Sequence, residues 1–403
     1  MLDRSACRAN TGGPGAEDTR VEVMELESAA ASMVSVDRAV SDLRRGDFVM
    51  LESGAGAALA QAAETVTAAS LATFTRLANG GASLALTARR ASVLAFPKPA
   101  AAGRHGSGVV TVPLAEIDDP AIIRWLIDPT ALRHGRLPQS VAPRQESGDS
   151  FAAAAVTLSK LAQLLPAALT ATLAPGEAAQ RKWLARHRHL LRVEVGAIAD
   201  YARLAAVTLQ PVSEARVPLA AAEDARVVGF RPADGSAEQF AIVIGEPAAH
   251  QPTLCRVHSE CFTGDLLGSL RCDCGAQLEQ ALALIGAAGH GVLLYLAHEG
   301  RGIGLINKLR AYQLQDAGLD TLDANQHLGF EPDERSYRAA AVMLRHLGIQ
   351  SVRLLTNNPG KVEALTREGI AVVQRVAHAM VPNRHNHGYL ATKARRAGHL
   401  LEG

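Results

Sequence analysis

The apolar positions of this chain alternate between two periods. Val36, Ala39, Val40 and Leu43 recur at helical spacing and run into Arg44, Arg45 and Gly46, a C-terminal stop. Phe48 to Leu51 is then a short apolar run that reads as a buried strand. Ser70 to Leu77 predicts a second helix, and Ser83 to Leu86 a second strand. Helix and strand in this order predict an α+β first domain. Prolines and glycines crowd residues 97–150, and Phe151 to Leu164 is again helical in pattern. The Ala-, Leu- and Arg-bearing stretch from Leu169 to Leu209 reads as one long helix, ended by Pro211 and bridging two domains.

Beyond that point strands lead. Ala225–Phe230, Phe240–Ile244 and Thr253–His258 are strand-like. Gln277–Ala287 predicts a helix closed by Gly289, Gly291–Tyr295 a buried strand, and Ile303–Gln315 a helix stopped at Gly318. Arg338–Leu347, Ser351–Leu355 and Lys361–Glu368 continue as helix, strand and helix. The second domain is therefore expected to be α/β, a mostly parallel sheet covered by helices. The expected division is a flexible tail over 1–24, a first domain over 25–208 and a second over 209–403.

Composition narrows the function classes. The 403 residues are 48% hydrophobic and 20% charged, enough for real cores. With 41 basic and 40 acidic residues, net charge +1, coating nucleic acid or an anionic membrane is excluded as the main task. No polar-free run of about 18 apolar residues predicts a membrane span. Met1 to Glu17 holds charges and no apolar core, so no signal peptide is expected and the reading is cytoplasmic. Four of the five cysteines then fall between Cys255 and Cys274, where reduced thiols point to metal binding or catalysis rather than disulfides.

The sharpest motif is Cys261-x10-Cys272-x-Cys274. Three soft thiolates suit Zn²⁺ and leave a fourth tetrahedral position open, as in a catalytic site. Cys255 or His258 completing the shell would instead make a structural site; both readings stand on spacing alone. His298-Glu299-Gly300-Arg301-Gly302-Ile303-Gly304 follows a strand and opens a helix, a place where backbone N–H groups can meet an anion. Arg301 could bind phosphate or be an ordinary turn residue. Asn325-x2-Leu328-Gly329-Phe330-x2-Asp333-x-Arg335-x-Tyr337 offers an acid beside a cation, or a helix cap beside a surface arginine. Thr356-Asn357-Asn358-Pro359-x-Lys361 runs from a strand end into a helix, the usual ligand position of an open α/β sheet.

Taken together with Arg256-Val257-His258-Ser259-Glu260, Thr263-Gly264-Asp265, Arg271, Gln277, Lys308, Arg310 and Tyr312, these motifs resemble GTP cyclohydrolase II over about residues 213–402. The resemblance implies a zinc enzyme that releases formate and pyrophosphate from GTP in riboflavin biosynthesis. It implies Cys261, Cys272 and Cys274 as zinc ligands. Substrate contacts would come from Arg256, Val257, His258, Ser259, Glu260, Gln277, Glu299, Gly300, Arg301, Thr321, Thr356 and Lys361. Asp333 matches the proton acceptor, Arg335 the nucleophile toward the α-phosphorus and Tyr312 a tyrosine of ring opening. Mg²⁺ with the triphosphate and a homodimer are further implications.

Residues 35–208 are similar to a 3,4-dihydroxy-2-butanone 4-phosphate synthase, in degenerate form. Glu52-Ser-Gly-Ala-Gly-Ala-Ala-Leu59 stands where that family has an acidic loop. Gly148-Asp149-Ser150-Phe151 stands in place of Gly-His-Thr-Glu. With metal ligands and acids lost, this half is expected to be catalytically dead and to serve as scaffold, dimer surface or regulator.

Overall fold

The structure is a computed structural model that describes residues 32–78, 81–94, 96, 106–117, 119–133, 143–173, 182–184, 186, 187, 189–247, 251–396, 398 and 400. The expected tail over 1–24, with Cys7, lies outside the described residues.

Two seven-stranded sheets organise the chain. The first contains β1 (Val49–Ser53), β2 (Gly56–Ala62), β3 (Ala82–Thr87), β4 (Gly106–Pro113), β5 (Arg144–Ser147), β6 (Ala167–Leu173) and β7 (Arg192–Glu194) in the order β5-β4-β3-β6-β2-β1-β7. All its pairs are antiparallel except β1 with β7, in keeping with an α+β domain. The helix Phe151–Leu161 lies across this sheet and is capped by Ser150, whose hydroxyl accepts from Ala153 N–H at 3.1 Å. Ala152 to Ala155 are all buried in it. Methyl-sized side chains let the helix approach the strands closely, which gives the Ala-rich composition a packing role.

The stretch Leu169–Leu209 is not one helix. It holds the end of β6, then β7, then a helix over Val195–Val207. Leu169 and Ala171 are buried on one face of β6, which sits between β2 and β3. Thr170 and Thr172 alternate with them, and tertiary pairing overrides the helix propensity of Ala and Leu.

The second sheet contains β8 (Gln210–Arg216), β9 (Arg226–Arg231), β10 (Gln239–Ile244), β11 (Thr253–Ser259), β12 (Gly291–Leu296), β13 (Ser351–Leu355) and β14 (Ala371–Val376), ordered β14-β13-β11-β12-β10-β9-β8. The α/β class holds, but the sheet is mixed rather than mostly parallel. β14, β13, β11 and β12 are mutually parallel, whereas β8, β9 and β10 join through antiparallel pairs. Short links over 217–225 and 232–238 return the chain as hairpins; the helix Cys274–Ala288 spans the crossover from β11 to β12.

Alternation along β11 sorts its side chains. Cys255 and Val257 enter the core shared with β12, β13 and the helix Arg338–His346, while Arg256 and His258 face the other way. The helices Leu305–Asp316 and Thr321–Leu328 belong to both domains: Ile303, Ala311, Leu314, Ala324, Leu328 and Phe330 share one apolar cluster with Leu71, Phe74, Leu84 and Leu169. Among the described residues no helix is long and apolar enough to cross a membrane.

Candidate active site

A cleft opens at the carboxyl ends of the parallel strands β11, β12 and β13. In an open sheet these ends splay into loops, and ligands collect there. After β11 the chain turns through Cys261 to Leu266. After β12 it makes the loop Glu299–Gly302, and after β13 the turn Thr356–Asn358, whose Asn358 caps the helix Pro359–Arg367.

The three thiols meet here. One donor atom each from Cys261, Cys272 and Cys274 lies within 4.8 Å of the others, with Cys261 Sγ and Cys272 Sγ 3.8 Å apart. Cys274 opens its helix, so the positive end of the helix dipole faces the cluster. Lys308 Nζ donates to Cys261 Sγ at 3.1 Å, and the Gly264 N–H donates to the same sulfur at 3.3 Å. Hydrogen bonds from the other two thiols, then from Lys308, hold Cys261 as a thiolate, and that charge pushes the Cys272 and Cys274 thiols up. Three such sulfurs make a donor set that fits a soft, tetrahedral cation.

Gly264 shows how tightly the cradle is built. A Cβ there would stand 2.8 Å from Cys274 Cβ, 2.9 Å from Cys272 Sγ and 3.0 Å from Cys261 Sγ. The alternative of a closed four-ligand shell finds no support in the two residues proposed for it. Cys255 is fully buried on the opposite face of β11, its thiol pushed up to about 12 by burial. His258 Nε2 lies 3.1 Å from both Asp265 carboxylate oxygens instead.

Asp265 is the hub of a second network. Besides His258 it accepts from Tyr295 Oη at 2.9 Å and from the Cys261 N–H at 3.0 Å. Its carboxylate thus orients the turn that carries the first cysteine. Glu299 does the same from the other side. Its carboxylate accepts from Phe262 N–H at 2.6 Å, Gly300 N–H at 2.8 Å and Lys308 Nζ at 2.8 Å. Burial alone would lower the Lys308 ammonium pKa, but Glu299 and Cys261 outweigh it and keep the group charged.

The cationic side of the cleft holds Arg256, Arg301, Arg335 and Lys361. Arg256 donates to Leu355 O at 2.9 Å and to Gln277 Oε1 at 2.5 Å; burial lowers it to about 10, still a cation at neutral pH. Arg335 is forked onto Asp333 through Nε–Oδ1 at 2.8 Å and Nη2–Oδ2 at 2.6 Å, while its Nη1 donates to Ser259 Oγ at 3.2 Å. Burial works against the Asp333 charge, yet the Arg335 pair prevails and holds its carboxyl below the usual range. Lys361 Nζ donates to Val257 O at 2.8 Å. Tyr312 Oη lies 3.4 Å from Thr263 Oγ1 beside the thiols, with the Arg271 guanidinium 4.5 Å over its ring. Burial raises its phenol pKa and that of the Glu260 carboxyl, for which Glu299 and Asp265 add like charge.

Of the residues singled out in the sequence, Arg256, His258, Ser259, Glu260, Gln277, Glu299, Gly300, Arg301, Thr321, Thr356 and Lys361 line the cleft together with the three cysteines, Tyr312 and Arg335. Two do not. Val257 puts its side chain in the core and offers only its carbonyl. Asp333 stands behind Arg335, lining a neighbouring groove with Arg301 and Arg367. Lys308, Asn325 and His298, from the same motifs, also line the cleft, and so does Tyr389, which no motif marks; only folding brings the helix His387–Arg396 there.

A thiol triad, a fork-held arginine and convergent cations at the strand ends of an α/β sheet mark an enzyme active site with room for an anionic ligand. The sequence model of the family described as GTP cyclohydrolase II matches residues 210–377. A GTP cyclohydrolase-2 of Azospirillum brasilense is 48% identical over 380 residues, 94% of this chain and 96% of the relative. A GTP cyclohydrolase-2 of Xylella fastidiosa is 39% identical over 93% of this chain and 89% of its own length. The riboflavin biosynthesis protein RibBA of Salinispora tropica is 41% identical over 72% of this chain and 76% of that protein. A solved two-domain 3,4-dihydroxy-2-butanone 4-phosphate synthase from A. baumannii overlays 86% of this chain and 99% of its own at 17% identity, TM-score 0.35. The chain belongs to the GTP cyclohydrolase II family.

Proposed function

We propose that this chain hydrolyses GTP to formate, pyrophosphate and 2,5-diamino-6-(5-phosphoribosylamino)pyrimidin-4(3H)-one, the committed step of riboflavin biosynthesis, and that it needs zinc to do so. The observation that carries the reading is the thiol triad set against the cationic wall in one cleft. Cys261, Cys272 and Cys274 would hold the zinc, which when bound supplies Lewis-acid activation of water near neutral pH.

The chain's own residues do the rest. Lys308 and the Gly264 N–H stabilise the Cys261 thiolate. Arg256, Arg301, Arg335 and Lys361 offset the triphosphate charge, together with Mg²⁺. Asp333 fixes the plane of the Arg335 guanidinium, leaving Nη1, which donates to Ser259 Oγ, as the edge that would meet the α-phosphorus. Asp333 would accept the proton that Arg335 releases. Tyr312, kept as a neutral phenol by burial, can donate a proton as the imidazole ring opens. Formate and pyrophosphate release from GTP by the zinc-loaded protein is the test; a zinc-replete protein that binds GTP without turnover would favour a regulatory pseudoenzyme instead.

For the first domain we propose loss of synthase activity. Where the resemblance calls for an acidic loop, the chain makes a tight hairpin from β1 to β2, with Ser53 paired to Gly56. Glu52 is engaged by Arg192 Nη1 at 2.7 Å, and Ser150 serves as a helix cap. Ribulose 5-phosphate with Mg²⁺ should give no butanone phosphate with the full chain. Domain limits of 25–208 and 209–403, a homodimer and a cytoplasmic location complete the proposal.

A further inference from the structure

We propose that Lys160, with Arg89 and Gln163, makes the first domain a positioning element for the two cleft arginines, Arg301 and Arg335. The inference rests on the GTP hydrolase reading above and assigns the synthase-like half a part in that reaction.

Arg301 and Arg335 lie on two loops that touch each other. The Glu334 N–H donates to Arg301 O at 3.2 Å, and a Cβ on Gly302 would meet the Glu334 backbone at 3.2 Å. Arg301 has φ +63°, a left-handed conformation that a residue with a side chain adopts only under constraint from its surroundings. The loop's own bonds, Gly302 N–H to His298 O at 3.3 Å and Gly304 N–H to Glu299 O at 3.0 Å, close its ends, while Arg301 O is held from outside by the Glu334 N–H.

The first domain supplies the constraint at three points. Lys160, in the last turn of the helix Phe151–Leu161, donates to Glu334 Oε1 at 2.7 Å; the two side chains are 26% and 20% exposed. The same oxygen accepts from the Glu331 N–H at 2.8 Å, so Lys160 sets the fold of the segment immediately before Arg335. Arg89 forks onto the Glu331 carboxylate, Nε–Oε1 at 2.8 Å. Gln163, itself at φ +58°, accepts from Asn307 Nδ2 at 2.9 Å through its carbonyl. Asn307 Nδ2 also donates to Ile303 O at 3.0 Å, and the Gln163 side chain fills the space where a Cβ on Gly304 would stand, within 3.1 Å. The loop that bears Arg301 is therefore gripped at its exit by Gln163 and at its middle, through Glu334, by Lys160. None of the three first-domain residues lines the cleft. They act through the backbone of residues that do.

The test uses the full chain, with GTP turnover of the parent measured first. Lys160→Met and Glu334→Gln should each lower kcat about tenfold, as slight misplacement of a reacting group does. Zinc content should stay at the parent value, since the thiol triad shares no contact with either residue. Lys160→Arg should retain most of kcat, and the double variant Lys160→Met/Glu334→Gln should be no worse than the poorer single, as for two ends of one interaction. Arg192→Ala, which breaks an exposed pair elsewhere on the first domain, should leave kcat unchanged. Pyrophosphate release should slow at least as much as formate release. If Lys160→Met does not fold, Glu334→Gln carries the same expectation. Wild-type kcat in both variants, or an equal loss in Lys160→Arg, overturns the inference while leaving the hydrolase reading intact. A parent that does not turn over GTP overturns both.

Discussion

Replacing Gly264 by alanine puts one methyl group against all three thiols proposed to hold zinc. The added Cβ would stand 2.9 Å from Cys272 Sγ and 3.0 Å from Cys261 Sγ, with Cys274 Cβ at 2.8 Å. Ordinary contacts between such atoms begin near ~3.5 Å, so the sulfurs must retreat by roughly 0.5 Å. A tetrahedral zinc site tolerates displacements of about 0.2 Å in its ligand distances. Nor can the turn back away, because a Cβ on Gly275 would already meet Gly264 O at 2.4 Å: the turn and the helix Cys274–Ala288 are in contact. Overpacking of this kind costs about 1–3 kcal/mol. Charged wholly to the metal-bound state, that is a loss of roughly 5- to 150-fold in zinc affinity. The assay is competition between the protein and a graded series of chelators, read alongside zinc content and GTP turnover. Gly196→Ala, where an added Cβ meets nothing within 4 Å, controls for the loss of a glycine as such. Zinc affinity within about twofold of the parent, with full turnover, would refute the claim that the three thiols close on the metal only because residue 264 carries no side chain.

Other expectations follow from the same geometry. Cys272→Ser should strip zinc and abolish formate release; full turnover in that variant, measured with metal content, would remove zinc from the mechanism. Asp333→Asn releases the Arg335 fork and should lower kcat about 10²-fold at unchanged zinc content, read from pyrophosphate release. Acid should destabilise the fold early. Burial lowers His298 and His378 to about 3, and no protein partner is found for either ring nitrogen of His378 among the described residues. Unfolded, both take up protons near pH ~6.5, so the unfolded state binds more protons between about 6.5 and 3. Stability is full above that window and falls as pH drops through it, each histidine adding about 1.4 kcal/mol per pH unit. Urea unfolding from pH 7 to 4 should show this slope, and His378→Leu should flatten it; a flat profile in the parent would contradict the buried neutral state.

Much of the second domain was legible because its elements are short and bounded by strong punctuation. Gly289, Gly318 and Gly348 all adopt positive φ beyond a helix, as a C-terminal stop requires. Ser351–Leu355 is a strand at the expected limits. The first domain was harder to read. Ala-Ala-Leu-Thr-Ala-Thr-Leu over 167–173 has helix-forming residues and yet is a central strand, because its neighbours β2 and β3 were far away in sequence. The strands β8 and β14 went unseen because they are edge strands with exposed, weakly patterned faces.

What the sequence alone determined is the chemistry: which residues can bind soft metal, carry positive charge or move a proton, since these are properties of side chains at fixed spacing. Cys261, Cys272, Cys274 and Arg335 needed no coordinates to be singled out. Tertiary structure decided which of those groups face one another. It turned Val257 into the core by the two-residue period of β11, set Asp333 behind Arg335 instead of in the cleft, and gave Lys308 and Asp265 their places against the Cys261 turn. It also tied the first domain to the loops of the cleft, through Lys160 and Glu334, 174 positions apart in the chain. Spacing along a chain fixes local partners, whereas contacts between distant segments are set by the packing of whole elements, and no local pattern encodes them.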